Sequence, residues 1–269
     1  MPELPEVETT LRGIQPHLLN QRIRSILVSQ PKLRWPVPDE IQQLTGARIQ
    51  SLQRRAKYLL IDSGRGHLIW HLGMSGSLRI QPVSAKPEKH EHVRIDFDNG
   101  TSLRYRDPRR FGAVLLTHDD PLQHPLIAEL GPEPLATDFD ARYLHQQCSG
   151  KKSSIKSVIM DSHVVVGIGN IYACESLFLS GINPRTRAGR ISERRLARLV
   201  DTIKAVLAKA IEQGGTTLQD FTQADGKPGY FRQHLNVYGK NGPCPSCGQA
   251  IRRITQSQRS TFYCSHCQK

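Results

Sequence analysis

The chain has 269 residues, 38% of them hydrophobic, with 37 Lys and Arg against 24 Asp and Glu and a formal charge of +13. That length and apolar content support packed cores in one large or two ordinary domains and exclude disorder as the main state. No apolar run approaches the roughly eighteen residues of a membrane span, and no basic region with an apolar core opens the chain, so a soluble, cytoplasmic protein is expected, its basic excess matched to a polyanion such as nucleic acid.

In chain order, Val7, Leu11, Ile14 and Leu18 recur at helical spacing, with Pro5 and three glutamates in the opening turns, where the helix dipole favours acids. This predicts a short amphipathic helix over 3–18. From about 22 to 117 short β-like runs follow: Ile23 to Val28, Tyr58 to Ile61, Leu68 to His71, and the alternating Val93, Ile95 and Phe97. The last run meets Asp98-Asn99-Gly100 and continues through Leu103 and Tyr105, which is a hairpin signature. The first half therefore reads as an antiparallel sandwich or barrel.

Past Gly131-Pro132-Glu133-Pro134 the pattern turns helical, most clearly from Ser192 as N-cap through Leu196, Leu199, Val200, Ile203, Val206, Leu207 and Ile211 to Gly214-Gly215. Gly214 to Tyr230, rich in glycine and small polar residues, reads as a mobile loop. The expected organisation is α+β and multidomain: a β-sandwich with an N-terminal helix over 1–131, a helical domain over 135–230, and a zinc ribbon over 235–269. Residues 232–269 carry six Lys or Arg and no Asp or Glu, so positive charge concentrates there.

The ribbon is read from Cys244-Pro-Ser-Cys247 and Cys264-Ser-His-Cys267. Two short knuckles let four thiolates converge on one tetrahedral Zn2+, and Ile251 to Tyr263 is long enough for a hairpin between them. A disulfide framework is disfavoured in a chain expected to be cytosolic. Four protein ligands leave no open position, so this zinc is structural and catalysis lies elsewhere. Cys148 and Cys174 are expected to be ordinary semi-buried thiols.

The start, Met1-Pro2-Glu3, permits removal of the initiator methionine and leaves proline with a free secondary amine. An α-amino group titrates near 7.7–8.0, well below lysine, so part of it is uncharged and nucleophilic at neutral pH. Attack on a sugar C1′ yields an iminium with no N–H proton to lose, a standing electron sink. Glu3 is placed to act as general acid, with Glu6 one turn on. Taken alone, a proline and acids at a helix start are capping features.

Several widely separated segments change that weighting: Pro2-Glu3-Leu4-Pro5-Glu6-Val7-Glu8, Arg54-Arg55-Ala56-Lys57-Tyr58-Leu59, His71-Leu72-Gly73-Met74-Ser75-Gly76 and Asp107-Pro108-Arg109-Arg110-Phe111-Gly112. With them come Val166-Gly167-Ile168-Gly169-Asn170-Ile171-Tyr172-Ala173, Asp225-Gly226-Lys227-Pro228-Gly229 and the four cysteines. On these the chain resembles formamidopyrimidine-DNA glycosylase over essentially its full length.

The resemblance implies Pro2 as Schiff-base nucleophile, Glu3 as the acid that assists sugar opening, Lys57 as a cation beside phosphate, and Arg259 as the ribbon arginine that grips phosphate and assists the second elimination. Asn170 becomes the phosphate contact of a helix-two-turns-helix element, where glycines bare backbone N–H groups at a helix start. Met74, Arg109 and Phe111 become the side chains inserted into the duplex, offsetting a few kcal/mol of lost stacking when the damaged base leaves. His71, His90, Lys151 and Lys156 are further implied DNA contacts, although Gly150 stands where a lysine-rich run is expected.

The implied protein is monomeric and acts at the nucleoid on double-stranded DNA containing oxidised bases. It removes 8-oxoguanine and formamidopyrimidines by β,δ-elimination, with the 214–230 loop closing over the everted base and one structural Zn2+ as cofactor. Two rivals stand beside it: an endonuclease VIII-type glycosylase for oxidised pyrimidines, against which Leu4, Met74, Arg109 and Phe111 speak, and a non-catalytic zinc-ribbon DNA-binding protein.

Overall fold

Leu4, Val7, Leu11, Ile14 and Leu18 are all buried, and they form the inner stripe of helix α1 (Leu4–Leu18). The computed structural model describes residues 2–216, 224 and 229–269. They fold as two compact units, Met1–Glu129 with Gln213–Arg232, and Leu130–Glu212 with Gln233–Lys269.

In the first unit, α1 is followed by β1 (Ile23–Val28), β2 (Ser51–Arg55), β3 (Tyr58–Asp62), β4 (His67–His71), β5 (Ser77–Pro82), β6 (Glu91–Phe97), β7 (Thr101–Arg106) and β8 (Ala113–Thr117). They form two antiparallel sheets, ordered β1-β6-β7-β5 and β2-β3-β4-β8. Strand alternation decides which side chains face inward. Leu59, Ile61, Leu68 and Trp70 of one sheet meet Val93, Ile95, Phe97, Leu103 and Tyr105 of the other, and the inner face of α1 joins the same core. Trp70 and Tyr105 meet edge to face, with centroids 5.4 Å apart. Tyr58 and His71 lie opposite one another in the β3–β4 register, and their rings pair at 5.0 Å.

Part of the expected 214–230 loop belongs to this unit: Thr216 bridges Tyr230, and the Ala224 carbonyl accepts the Ile80 N–H at 3.2 Å. Most of that loop, with Asp225-Gly226-Lys227-Pro228, lies outside the described residues.

The second unit holds α2 (Ala141–Cys148), α3 (Ile155–Ile159), α4 (Asn170–Leu179), α5 (Glu193–Glu212), β9 (Arg252–Gln256) and β10 (Arg259–Tyr263). Asp140 and Ser154 cap α2 and α3 by accepting the N–H groups of Tyr143 and Ser157. The stripe read from the sequence becomes the buried face of α5. Strands β9 and β10 form a hairpin whose turn residues, Ser257 and Gln258, both take positive φ, as a tight two-residue turn of this hand requires. Among the described residues no helix is long and apolar enough to cross a membrane.

Candidate active site and nucleic-acid interface

Pro2, Glu3 and Glu6 are buried at the start of α1. The Glu6 carboxylate fixes this corner: one oxygen accepts the Glu3 N–H at 2.7 Å and the other accepts the Thr216 N–H at 2.8 Å. Glu8 is differently employed. Arg54 Nε lies 2.8 Å and Arg12 Nε 2.9 Å from its carboxylate, and these cations outweigh its burial and hold its pKa below the usual range. Arg54 also donates to the Ala56 carbonyl at 3.0 Å, so one guanidinium joins α1 to the β2–β3 turn that carries Lys57.

His71 ends β4 on the strand next to that turn. Its Nδ1 accepts the Gly73 N–H at 3.0 Å, which leaves the proton of the neutral ring on Nε2. Burial first, then the charges of Lys57 and Arg34, lower its pKa to about 4, so it is neutral at physiological pH. Met74, on the loop after β4, and Phe111, on the loop after β7, are 36% and 47% exposed. The Arg109 guanidinium stacks 4.8 Å from the Phe111 ring centroid. His90, at φ +68°, is harder to protonate than a free histidine because of desolvation and the nearby charges of Lys89, Arg106, His92 and Arg110. That rim is a cationic surface suited to phosphate.

In the second unit the sequence-predicted residues converge on the start of α4. Gly167 takes φ +79°, a conformation suited to glycine, and Gly169 serves as N-cap ahead of Asn170. The Asn170 amide donates to the Ser260 carbonyl at 2.7 Å and accepts from Lys156 Nζ at 2.5 Å. Lys156 Nζ also donates to Thr261 Oγ1 at 2.6 Å, and the residue is only 2% exposed. Its ammonium therefore binds α4 to β10 beneath the surface, whereas Arg259, beside Ser260, is exposed. Lys151 is partly buried in the turn after α2, its carbonyl accepting the Gly189 N–H at 3.1 Å.

Two residues escaped the sequence reading. Glu175, buried in α4, accepts the backbone N–H groups of Asn236, Val237 and Tyr238 and so anchors the lead into the ribbon. Asp107 lies at the centre of a buried network with Ser75, Tyr105 and Gly112. Cys148 and Cys174 are fully buried rather than semi-buried, and burial pushes the Cys148 thiol up to about 11, which keeps it unreactive.

The four ribbon sulfurs lie within 4.8 Å of one another, with Cys244–Cys267 at 3.8 Å and Cys247–Cys264 at 3.5 Å. A tetrahedral zinc with Zn–S near 2.3 Å needs sulfur–sulfur edges of about 3.8 Å, so the quartet fits one zinc ion. Hydrogen bonding to Cys247, burial and the other two sulfurs push the Cys267 thiol up to about 12. A divalent cation supplies the charge that lets all four ionise.

A β-sandwich, a helix-two-turns-helix region and a four-cysteine finger are what the family models recognise. The formamidopyrimidine-DNA glycosylase N-terminal domain matches residues 1–114, the H2TH domain of the same glycosylase 130–222, and the zinc finger found in FPG and IleRS 242–269. The chain belongs to the formamidopyrimidine-DNA glycosylase family.

The formamidopyrimidine-DNA glycosylase of Photobacterium profundum is 57% identical over 100% of both chains. Among solved structures, a Lactococcus lactis FPG mutant in complex with Fapy-dG-containing DNA superposes with a TM-score of 0.93 at 34% identity, covering 100% of each chain. MutM in complex with carbocyclic 8-oxo-G-containing DNA gives 0.92 at 35%, again over 100% of each.

Proposed function

We propose that this chain is a bifunctional glycosylase and abasic-site lyase that removes 8-oxoguanine and formamidopyrimidines from duplex DNA. The observation that carries the reading is the corner at the start of α1, where Glu6 fixes the Glu3 backbone beside a buried Pro2. With Met1 removed, the Pro2 amine lone pair bonds to C1′ of the damaged nucleotide as the C1′–base bond breaks, its electron pair leaving with the base, and the amine proton passes to the departing base. Glu3 gives a proton to the ring oxygen as the sugar opens, leaving an iminium on Pro2. A base takes a C2′ proton, the C–H electron pair flows into the iminium and its return expels the 3′ phosphate; removal of the C4′ proton then drives a second elimination, assisted by Arg259, that expels the 5′ phosphate.

Met74, Arg109 and Phe111 would fill the space left in the stack, while Lys57, His71, His90, Lys151, Lys156 and Asn170 hold the backbone directly or through their neighbours. The domain roles follow: a catalytic β-sandwich over 1–131, with which Gln213–Arg232 groups, a helical DNA-binding domain over the remainder of 135–230, and a ribbon over 235–269. DNA complexes of the relatives carrying Fapy-dG and 8-oxo-G support the choice of oxidised purines over pyrimidines.

Borohydride trapping on an 8-oxoguanine duplex, followed by sequencing of the adduct, tests the nucleophile: the cross-link is expected at Pro2. A chain extended by one residue before Pro2 should bind DNA but neither cross-link nor cleave. Cleavage at the normal rate by the extended chain would overturn the assignment. Faster excision of thymine glycol than of 8-oxoguanine would overturn the substrate.

A further inference from the structure

Asp107 is completely buried in the first unit, yet its carboxylate touches two loops that leave strands of different sheets. The loop after β4 carries Met74, and the loop after β7 carries Arg109 and Phe111. One oxygen of Asp107 accepts the Ser75 hydroxyl at 2.6 Å, on the first loop. The other accepts the Gly112 N–H at 2.9 Å, on the second, and the Tyr105 hydroxyl at 3.1 Å. Ser75 Oγ in turn accepts the Arg109 N–H at 3.2 Å, which closes a ring of hydrogen bonds across the two loops.

The backbones are also in contact. A Cβ built on Gly73 would lie 2.4 Å from the Gly112 nitrogen, and one on Gly112 would lie 1.7 Å from the Tyr105 hydroxyl. No other residue type fits at either position, so neither loop can swing independently without breaking this packing. On the outer side of the ring stand Met74, Arg109 and Phe111, all exposed, with Arg109 already stacked on Phe111.

We infer that Asp107 is a positioning residue that fastens the Met74 loop to the Arg109–Phe111 loop, so that the three side chains enter the duplex as one preformed wedge. The inference rests on the insertion role proposed above for those three residues. A fastened wedge pays its ordering cost when the protein folds, whereas two free loops would pay it at each encounter with DNA. Asp107 touches no substrate in this scheme; it acts through Ser75, Tyr105 and Gly112.

Two variants test it. Ser75→Ala removes the bridge between Asp107 and Arg109 but keeps the bonds from Tyr105 and Gly112, and Asp107→Asn alters the carboxylate itself. Each is assayed for single-turnover excision from an 8-oxoguanine duplex and for borohydride trapping on an abasic site in single-stranded DNA, which has no stack to fill. Duplex excision is expected to fall 10- to 100-fold and single-strand trapping to change less than threefold. With 2-aminopurine beside the lesion, the fluorescence rise that reports unstacking should shrink in parallel.

Coupling gives an independent reading that does not depend on Asp107→Asn folding well. In the wild-type background the losses from Met74→Ala and Phe111→Ala should combine at least fivefold short of their product; in the Ser75→Ala background they should multiply. Normal duplex excision by Ser75→Ala, with Met74→Ala and Arg109→Ala impaired, would sink the fastening but spare the wedge. Normal excision by Met74→Ala and Arg109→Ala as well would sink the insertion role itself. Equal loss on duplex and single strand would make Asp107 a structural residue only and overturn the inference.

Discussion

Glu6 Oε1 accepts the backbone N–H of Thr216 at 2.8 Å, joining the first turn of α1 to a residue 210 positions later in the chain. The same carboxylate holds the Glu3 N–H, so a single side chain couples the proposed acid to the entrance of the 214–230 segment. Glu6→Gln keeps the shape but offers one accepting oxygen to two buried donors. The expected outcome is a loss of about 1–3 kcal/mol of stability, the cost of a buried N–H left without a partner. Excision should fall at least tenfold, because Glu3 loses its support. Urea unfolding and single-turnover excision check both, and a variant with unchanged midpoint and rate would refute the coupling.

How much of this was legible beforehand follows from where the information resides. Strand β6 shows itself because Val93, Ile95 and Phe97 alternate with polar residues, and all three are buried. Strand β2 hides because Leu52 alone of its five residues is buried, and β5 hides because only Ser77 and Leu78 are. The cysteine quartet is legible from spacing, since a metal site built of two knuckles is local in sequence. Asn170 and Lys156 could be named from the resemblance, but that the Lys156 amine is turned onto Thr261, 105 positions away, is a tertiary fact without a local signature. Asp107 sat in a recognised motif as the neighbour of Arg109, and its partnership with Ser75 is likewise non-local.

His71 makes a prediction about pH. Its folded pKa, about 4, lies below the ordinary 6.5, so between these values the unfolded chain binds a proton that the folded chain does not. Stability from this group is therefore complete above pH 6.5 and is lost as pH falls towards 4, by about 2 kcal/mol at pH 5. His71→Asn, which keeps an acceptor for the Gly73 N–H, should lose correspondingly less between pH 7.5 and pH 5. Urea melts of both proteins at the two pH values give the comparison, and parallel losses would show that His71 titrates normally.

Zinc removal should act first on the second unit. The four thiolates hold the knuckles at the base of the β9–β10 hairpin, and the hairpin supplies the Ser260 carbonyl and Thr261 hydroxyl that receive Asn170 and Lys156. Structural zinc sites contribute about 10–16 kcal/mol, more than a short hairpin can replace. Chelation, or Cys247→Ser, is expected to weaken DNA binding at least tenfold while the β-sandwich signal in circular dichroism persists. Unchanged affinity in a protein shown by mass spectrometry to be metal-free would contradict this arrangement.

Arg259 and Lys156 should separate in their response to salt. Both are cations of the second unit, but Arg259 is exposed on the hairpin, whereas Lys156 is buried with its amine on Asn170 and Thr261. A side chain that neutralises a phosphate releases counterions, so its removal flattens the plot of log affinity against log salt by about 0.9. Arg259→Ala should show that flattening with little change in melting temperature. Lys156→Met should leave the slope unchanged but lower the melting temperature, because it strands the Asn170 oxygen and the Thr261 hydroxyl without their donor. Affinity titrations from 50 to 200 mM salt, paired with thermal melts, decide the matter: a slope change in Lys156→Met would place its ammonium on phosphate after all, which would require the lysine to leave its buried seat when DNA binds.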